Sequence, residues 1–487
     1  MSEATLSERG RVMAQASTRA RIEPLLSNLY HPKDNPDGII DMGTAENVSQ
    51  ADLFTMTSIT VTNLTGQHPM TKDVSDFANS NIRTIPSAFT YGEGPWGSKR
   101  LRTAMANHMN KYYHPVSEVS PQDLIFSNGI TSLLDLFGFA IASPGDGILI
   151  SRPSYHAFPA DFGARAEFQC VFVSSDSDDQ FSAACVRNYE TALLEARERG
   201  ICIRALLLCN PHNPLGRCYP VSTIIALMQF CDKYGLHLLA DEVYALSVFD
   251  SSSPHVPFHS VLSIDSSAHL SPNHLHVLYS MSKDFACGGL RLGCLYSRNT
   301  ALMDSISAIS HFGQCGALNQ LFATQILEDT DWTEGFLAKS RKVLRSKFET
   351  CTQLLYRHGI EYSKNVNAGF FLWVWLLYSI SFVLHPARFL LPDSFLRFAV
   401  SSFLLSSQVL TQNPTDKPFP FLSLSSHTNP WEAENTLHAK LLHDYKTYIT
   451  PGSTLQAEQP GWFRLVFSQE DDVLNEGFRR LFDAIGV

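Results

Sequence analysis

The stretch SMSKDFACGGLRLG, residues 280–293, sets a lysine among small and apolar residues, with serines before it and an arginine eight positions after it. A lysine is usually a surface charge, because an ammonium group is rarely buried without a partner. Lys283, however, follows the apolar run LHVLYS, which predicts a buried strand whose end faces a cleft. In a cleft, desolvation and nearby cations favour the neutral amine, which can attack a carbonyl group.

The polar neighbours of this lysine are suited to hold a phosphate group. Ser280 and Ser282 offer hydroxyl donors, and Arg291 offers a guanidinium that can bind phosphate through two hydrogen bonds. A molecule with an aldehyde for Lys283 and a phosphate for these groups is pyridoxal 5'-phosphate (PLP). The segment therefore predicts PLP as a cofactor.

A second candidate is ADEVYALSVF, residues 240–249, directly after the apolar run LHLLA. An aspartate at this point can simply cap a helix. In the functional interpretation, the Asp241 carboxylate pairs with the ring nitrogen of the cofactor and keeps it protonated, so that the ring accepts electrons from the substrate Cα. Tyr244 would then donate to the phenolic oxygen of the ring. Both interpretations stay open on these residues alone.

The segment NPHNPLGR, residues 210–217, combines two Asn-Pro pairs with a glycine. This composition is typical of a tight loop, which is the purely structural interpretation. A rigid turn would also aim Asn213 at the same phenolic oxygen as Tyr244, and two donors there would tune the protonation of the cofactor. We favour the functional interpretation.

Two weaker motifs follow other predicted strands. In SNGITSLLDLF a strand gives way to a helix at Gly129, and the backbone N–H groups of Ile130 and Thr131 could bind phosphate at the helix start. In SRPSYHAFPAD, Tyr155 could stack on an aromatic cofactor, although a tyrosine in such a position is more often part of the core. Each motif alone is a weak signal.

Near the C-terminus, Arg464 lies within the apolar run WFRLVF. A charge in such a run is costly unless it is paired. A substrate α-carboxylate bound through two hydrogen bonds would pair it. A structural ion pair within the protein is the alternative.

These motifs need a scaffold that brings strand ends together. Short runs rich in Leu, Ile and Val predict buried strands at 123–127, 147–151, 168–173, 204–209, 236–240 and 275–280. A helical pattern with a Ser/Thr start and Gly235 as its stop lies between two of them. Strands alternating with helices predict an α/β fold with a mostly parallel, doubly wound sheet, in which ligands bind at the carboxyl ends of the strands.

The composition limits the other possibilities. The 487 residues, 44% hydrophobic and 17% charged, suit a soluble protein with a large core, formed either by two or three domains or by one large α/β subunit with a smaller lobe. A net charge of -10 disfavours nucleic acids and anionic membranes as partners. Ten cysteines without a C-x-x-C pair indicate free thiols rather than disulfides or a metal site. Neither end carries a recognisable targeting signal, so the cytoplasm is the expected location.

Residues 376–430 do not fit this pattern. The segment is rich in Leu, Ser, Phe and Pro, lacks a sustained helical period, and carries charges and prolines that argue against a membrane span. Because these four amino acids share pyrimidine-rich codons, one hypothesis is a translated intron or a misplaced exon boundary. The other is a genuine surface insertion. A cDNA that spans the region would decide between them.

Taken in order, the segments MGTAEN, YGEGPWGSKRLR, NGITS, RPSYHAF, NPHNPLG, ADEVY, SMSKD, GLRLG and PGWFRLVF resemble class I/II aminotransferases of PLP fold type I. The 1-aminocyclopropane-1-carboxylate (ACC) synthase-like branch, with its fungal secondary-metabolism members, is the most similar. The resemblance covers about residues 20–375 and 431–485. It implies a large PLP-binding domain over 81–330, a smaller α+β domain from 1–80 and 331–487, and an insertion at 376–430 without a family counterpart.

The resemblance also implies a role for each candidate residue. Lys283, Asp241 and Tyr244 correspond to the catalytic residues. The implied cofactor-binding set is Tyr91, Ile130, Thr131, Tyr155, Asn213, Asp241, Tyr244, Ser280, Ser282, Lys283 and Arg291. Arg464 and Glu46 correspond to the substrate-binding residues. Tyr91 matches a tyrosine that reaches the phosphate in the partner subunit, so a homodimer with active sites at its interface is implied.

The implied activity is removal of the Cα proton of an amino-acid substrate, as in an aminotransferase of fungal secondary metabolism. One alternative is ACC-synthase-like ring closure or C–S lyase elimination on a sulfur-containing amino acid. Another is a non-catalytic pseudoenzyme scaffold. Because Lys283, Asp241 and Arg291 are all intact, the scaffold is disfavoured.

Overall fold

The computed structural model describes residues 14, 25, 27–45, 69–174, 180–251, 255–377 and 429–487. Glu46 and residues 378–428, most of the anomalous segment, lie outside this part of the chain. The described strands form a seven-stranded sheet, a three-stranded sheet and a two-stranded sheet.

The secondary structure alternates strands and helices through the middle of the chain. The described strands are β1 (Ile40–Asp41), β2 (Leu124–Asn128), β3 (Gly147–Ser151), β4 (Gln169–Val173), β5 (Ile203–Cys209), β6 (His237–Asp241), β7 (Leu275–Ser280), β8 (Leu292–Ser297), β9 (Phe371–Trp375), β10 (Thr447–Tyr448), β11 (Thr450–Pro451) and β12 (Trp462–Val466). The described α-helices are α1 (Pro69–Asn81), α2 (Lys99–Tyr113), α3 (Gly129–Ile141), α4 (Phe158–Gly163), α5 (Val186–Glu198), α6 (Val221–Tyr234), α7 (Met281–Asp284), α8 (Thr300–Ile309), α9 (Ala317–Glu328), α10 (Thr330–Arg357), α11 (Pro430–His443) and α12 (Asp471–Ile485).

The large sheet has the strand order β2-β8-β7-β6-β5-β3-β4. Strands β3, β4, β5, β6 and β7 pair in parallel, whereas β8 runs antiparallel to both β2 and β7. The six strands predicted from the sequence are confirmed as β2 to β7, and the mostly parallel sheet is confirmed with them. The polar residues that follow these strands therefore meet at one edge of the sheet.

Strand β8 was not predicted. Its sequence LGCLYS directly follows Arg291 and contains Gly293, and a glycine weakens a strand pattern. The reason for the glycine is close backbone approach, because a Cβ at Gly293 would lie 2.6 Å from the carbonyl carbon of Gly129. Gly293, which weakens the strand pattern, thus allows the helix start at Gly129 to pack against β8.

Apolar side chains on both faces of the large sheet explain its burial. Along β5, Ala205 and Leu207 belong to one apolar cluster and Leu206 and Leu208 to the other, because successive side chains point to opposite faces. Helices α3, α4 and α8 pack in the first cluster, and α2, α5, α6 and α9 in the second. Continuous apolar runs are what a strand buried on both faces requires.

The predicted helix is α6, and its predicted stop is confirmed. The helix ends at Gly235, which has φ of 63° and adopts the left-handed conformation that glycine tolerates. The predicted Ser/Thr start is wrong, because Pro220 precedes the first turn and no side chain caps it. Thr223 instead donates its hydroxyl to the carbonyl oxygen of Phe181 at 2.8 Å, and so ties the helix to the preceding segment.

The smaller sheets combine the two ends of the chain. Strands β11, β12 and β9 form an antiparallel sheet, and β1 pairs in parallel with β10. Most apolar side chains of β9 and β12 share one cluster with α10, α11 and α12, and this cluster also includes Val243 and Tyr244 from the segment after β6. Tyr244 is therefore held where the large sheet meets the smaller ones. The division of the chain into the two predicted domains stays a prediction.

The described residues on either side of 378–428 belong to one sheet region. Strand β9 ends at Trp375, and the backbone N–H of Leu376 donates to the carbonyl oxygen of Gly461 at 2.9 Å. Helix α11 begins at Pro430, with Asn429 accepting a hydrogen bond from the N–H of Trp431. Both hypotheses for the intervening segment remain open. In the described part of the chain, no helix combines the length and apolarity that crossing a membrane requires.

Candidate active site

A cleft of about 690 Å³, which includes space open to solvent, lies at the carboxyl ends of the parallel strands. Ten of the candidate residues line it: Ile130, Thr131, Tyr155, Asn213, Asp241, Tyr244, Ser280, Ser282, Lys283 and Arg291. They come from five separate strand ends and the turns that follow them. The structure thus brings together side chains that are up to 161 residues apart, from Ile130 to Arg291.

Lys283 lies on the short helix α7, immediately after β7. The Ser280 hydroxyl caps this helix by accepting the N–H of Ser282 at 3.1 Å. The Lys283 Nζ donates to the carbonyl oxygen of Ala45 at 2.6 Å. The next residue, Asp284, is buried and accepts hydrogen bonds from the Leu246 N–H at 3.0 Å and the Ser247 hydroxyl at 2.6 Å. The helix is therefore anchored on one side and presents the amine to the cleft on the other.

Asp241 is the last residue of β6 and is buried. Its carboxyl accepts the N–H of Val243 at 3.3 Å, and no helix begins here, so helix capping is not its role. Burial raises the pKa of Asp241 to about 6, while the Val243 hydrogen bond and the charge of Lys283 act in the opposite direction. A carboxyl group that is costly to ionise in this place is well suited to a cationic N–H partner such as a protonated pyridine nitrogen.

Tyr244 is buried where the two sheet regions meet. Its ring makes edge contacts with Phe370 and Phe371, with centroid distances of 5.4 and 5.3 Å. Burial raises the pKa of the Tyr244 hydroxyl well above its ordinary range. The group therefore keeps its proton and is available as a hydrogen-bond donor in the cleft.

Asn213 and Arg464 form a pair that connects the turn after β5 with strand β12. The Arg464 Nη1 donates to the Asn213 side-chain oxygen at 3.0 Å, and Nη2 donates to the carbonyl oxygen of Gly43 at 2.7 Å. Because the Asn213 oxygen is the acceptor, its amide nitrogen is the group that can donate toward a ligand. Gly216 closes this turn with φ of 63°, and a Cβ there would lie 2.8 Å from Val366 Cγ1.

Arg464 is only 1% exposed, and its Nε has no hydrogen-bond partner. Among the residues that the structure describes, no carboxylate forms an ion pair with it, so the structural ion pair considered from the sequence is not found there. Burial lowers the pKa of Arg464. A buried guanidinium without a counter-charge is costly, and an incoming carboxylate would offset that cost.

The candidate phosphate site lies where β2 passes into α3. Gly129 has φ of 83°, and a Cβ there would lie 2.5 Å from Arg291 Nη2, so only glycine fits beside the guanidinium. The helix cap residue Asn128 makes no side-chain cap hydrogen bond, which leaves the first N–H groups of α3 to other acceptors. A helix start, a guanidinium and the Ser280 and Ser282 hydroxyls together suit a phosphate dianion.

Among the described candidates, Tyr91 and Arg464 do not line the cleft, whereas Tyr155 does. Tyr155 lines the cleft and packs edge-on against Phe158 at 5.3 Å. Tyr91 does not line it and is 93% exposed. Arg464 reaches it through Asn213 rather than as a lining residue. Glu46 lies outside the described residues, one position after Ala45, whose carbonyl accepts Lys283.

Sequence reasoning missed five lining residues: Leu134, Phe158, Asp161, Cys209 and Val243. Cys209 is the last residue of β5, so the strand-end rule applied to the other motifs would have found it. Asp161 lies in the segment SRPSYHAFPAD together with Tyr155, and a carboxyl in that apolar setting was the available signal. The apolar lining residues Leu134, Phe158 and Val243 have no chemistry that would identify them as site residues from the sequence.

The family model described as aminotransferase class I and II matches residues 63–481. The chain is similar to the ACC synthase of Glycine max, with 28% identity over 446 residues that cover 92% of this chain and 80% of the relative. It is similar to ACC synthase 2 of Solanum lycopersicum at 28% identity over 449 residues, covering 92% and 79%.

Solved structures with a similar fold include an aspartate aminotransferase from Thermus thermophilus with maleate. Its TM-score is 0.62 at 16% identity, with 99% of this chain and 97% of that chain covered. An aromatic aminotransferase from Pyrococcus horikoshii matches with a TM-score of 0.62 at 15% identity, covering 96% and 97%. At such identities the similarity concerns the fold.

Proposed function

The chain belongs to the class I and II aminotransferase family and has its fold type I architecture, and on that premise we propose that it is a PLP-dependent enzyme that activates the Cα of an amino-acid substrate. The observation that carries the proposal is the convergence of the Lys283 amine, the buried Asp241 carboxyl and the Arg291 guanidinium in one cleft. These three groups match an aldehyde, a ring nitrogen and a phosphate.

When bound, PLP supplies an aldehyde for the lysine and a protonated ring that withdraws electrons from the substrate Cα. Asp241 would hold the proton on the ring nitrogen, because its buried carboxylate is best satisfied by a charged donor. Asn213 and Tyr244 would donate to the phenolic oxygen. Tyr155 would pack against the ring face.

The phosphate would be held by groups from three elements. The N–H groups of Ile130 and Thr131 lie in the first turn of α3, and the hydroxyls of Ser280 and Ser282 lie around the start of α7. Arg291 would add the counter-charge beside Gly129. A charge-assisted set of this kind binds phosphate more strongly than neutral donors alone.

Substrate binding and proton transfer would use two further groups. Arg464 would bind the α-carboxylate and thereby orient the Cα–H bond toward Lys283. The Lys283 amine, once released from the cofactor, would accept the Cα proton. Arg464 and Lys283 donate to the main-chain carbonyl oxygens of Gly43 and Ala45, which lie shortly after β1. These neighbouring acceptors support a common binding region for substrate and amine.

For the reaction that follows, we propose first transamination by an aminotransferase of fungal secondary metabolism. The family assignment supports the aminotransferase class. The second candidate is ACC-synthase-like ring closure or C–S lyase elimination, which is favoured by the names of the curated relatives. The two differ in what is released: transamination would yield a keto acid and need a 2-oxo acid acceptor, whereas elimination and ring closure would expel a substituent from the substrate.

We also propose that a second copy of the chain completes the site. Phe89, Tyr91 and Phe312 are 71%, 93% and 81% exposed. Gln314 donates to the carbonyl oxygen of Tyr91 at 3.3 Å, which brings the Tyr91 loop next to the segment after α8. Large exposed apolar side chains grouped in this way mark an interface, and Tyr91 would extend from it toward the phosphate of the partner copy.

The test begins with the purified protein and PLP. We expect visible absorbance and borohydride trapping of the cofactor on Lys283, both of which are lost in Lys283→Ala. Lys342→Ala is the control, because Lys342 is an exposed lysine on α10. A protein that stays colourless and untrapped would be the pseudoenzyme scaffold.

The reaction type is read from products. Amino acids are offered with and without a 2-oxo acid acceptor. A keto acid that requires the acceptor identifies transamination. A thiol, ammonia or a cyclopropane amino acid formed without the acceptor identifies elimination or ring closure.

A further inference from the structure

Asp161 is a buried carboxyl of the cleft that the proposed mechanism does not use. It lies on α4, is 9% exposed, and lines the cleft together with Thr131 and Arg291. The Thr131 hydroxyl donates to Asp161 Oδ2 at 3.5 Å, a long and therefore weak hydrogen bond. Because Thr131 belongs to the first turn of α3, this contact connects Asp161 to the candidate phosphate site.

The electrostatic surroundings of Asp161 include groups from every element packed against it. They are Asp135 on α3, Tyr155 before α4, Cys170 on β4, Asp241 on β6 and Arg291 before β8. Burial has the largest effect and raises the pKa of Asp161 to about 7. The charges of Asp241 and Asp135 act in the same direction, whereas the Thr131 hydroxyl and Arg291 oppose it.

We propose that Asp161 is a positioning residue of the phosphate site and that its carboxyl group must be protonated for the cofactor phosphate to bind tightly. This inference rests on the proposed function. A neutral carboxyl beside Thr131 leaves the helix start and Arg291 to the phosphate. An ionised carboxylate in the same place competes for the Thr131 hydroxyl and repels the phosphate dianion.

The sign of the pH dependence follows from linkage. Phosphate binds best to the form with Asp161 protonated, so binding is strongest below the pKa of this carboxyl in the free protein. Affinity is lost as the pH rises through that value, until the pKa in the complex is reached. The phosphate has its own titration, which acts on every variant in the same way and cancels in a ratio of affinities.

The experiment measures the dissociation constant of PLP for the wild type and Asp161→Asn between about pH 6 and about pH 9, by quenching of protein fluorescence. We expect equal affinities at the acid end and about tenfold tighter binding by Asp161→Asn at the alkaline end. Asp304→Asn, an exposed aspartate on α8, is the control and should follow the wild type. Pyridoxal, which lacks the phosphate, should show no such divergence.

A second variant protects the test against misfolding of the first. Thr131→Val removes the hydroxyl that lowers the pKa of Asp161 but keeps the carboxyl, so its PLP affinity should still fall as the pH rises, with the fall displaced to higher pH than in the wild type. Parallel curves for wild type and Asp161→Asn, or the same divergence with pyridoxal, would overturn the inference while leaving the proposed function intact. A wild type that binds PLP at no pH would overturn both.

Discussion

Strands β6 and β7 carry polar side chains at both ends, and the two ends differ in how these groups are satisfied. At the amino ends, His237 Nδ1 and His276 Nε2 lie 2.9 Å apart, and His276 Nδ1 lies 2.9 Å from the Ser297 hydroxyl. These groups bond to one another. At the carboxyl ends, Asp241 and the helix that carries Lys283 face a cleft instead.

The adjacent residues Asp241 and Glu242 show the same contrast. Glu242 is fully buried, and its carboxyl accepts the Ser260 hydroxyl at 2.7 Å and the Val261 N–H at 2.8 Å. Asp241, one residue earlier, accepts only the Val243 N–H at 3.3 Å within the described residues. Two adjacent buried carboxyls thus differ in unused hydrogen-bonding capacity.

Two buried arginines, Arg464 on β12 and Arg480 on α12, repeat the pattern. Arg480 is buried, pairs with Glu476 at 2.7 Å and donates to the carbonyl oxygens of Gly38 and Pro36. Arg464 is buried with an Nε that has no partner. Buried polar groups are normally satisfied, so for these two pairs we infer that unused hydrogen-bonding capacity marks the residue that binds a ligand. Matched substitutions within each pair test this distinction.

The largest effect is expected at the carboxyl pair. Asp241→Asn removes the charge that would stabilise the ring nitrogen, so kcat should fall by at least about 10²-fold to 10³-fold with little change in the thermal midpoint. Burial raises the pKa of Glu242 to about 8, which keeps that carboxyl neutral at neutral pH. Glu242→Gln should therefore retain activity. Steady-state kinetics and thermal unfolding of both variants provide the measurement.

The pH dependence of folding stability provides a control at Glu242, because the raised pKa of Glu242 fixes the direction of the change. Its folded pKa lies above the value for an unfolded glutamate, so the wild type loses stability as the pH rises toward about 8. Glu242→Gln should remove this loss, whereas Asp241→Asn should not alter it at the alkaline end. Equal losses of kcat in the two variants would contradict the distinction.

The arginine pair should give the next largest effect. Arg464→Lys loses the two-pronged geometry for a carboxylate, so kcat/KM should fall by about tenfold to a hundredfold, mainly through KM. Arg480→Lys should lower the free energy of unfolding by about 1–3 kcal/mol without changing KM, because it breaks structural hydrogen bonds. If Arg464→Lys were to change stability alone, Arg464 would be a structural residue like Arg480.

The same contrast explains how far sequence reasoning reached. Short apolar runs with a polar residue at the end predicted six strands and Asp241, Ser280 and Lys283 at their ends, because strand periodicity and strand-end chemistry are both local. Strand β8 escaped because Gly293 serves the contact with Gly129 rather than the strand. Asp161 was missed although it stands in the same apolar segment as Tyr155, because a single carboxyl in such a segment has no sequence period.

The acceptors of Arg464 and Lys283 could not be predicted at all. They are the main-chain carbonyl groups of Gly43 and Ala45, which lie 421 and 238 residues away along the chain. A main-chain carbonyl has no side-chain signature, and its position depends on how the chain ends pack together. The boundary between the two sheet regions is therefore where knowledge of the tertiary structure adds most to the site.

The smallest effect is expected at the histidine cluster, and it should leave the cleft untouched. Burial lowers the pKa of His237 to about 4 and that of His276 well below its ordinary value. Because the folded values lie below those of unfolded histidine, the stability that these groups contribute is present above about pH 6.5 and is lost as the pH falls through the folded values. His276→Asn can keep a hydrogen bond to Ser297 but cannot take up the proton.

Thermal unfolding of this variant should therefore show a smaller loss of stability between about pH 6.5 and about pH 4.5 than the wild type, by about 1 kcal/mol per pH unit at most. PLP affinity at neutral pH should match the wild type, because the cluster lies at the opposite ends of β6 and β7 from the cleft. A change in PLP affinity with no change in acid stability would reverse the roles of the two strand ends, since the groups that bond to one another would then be the ones that serve the site.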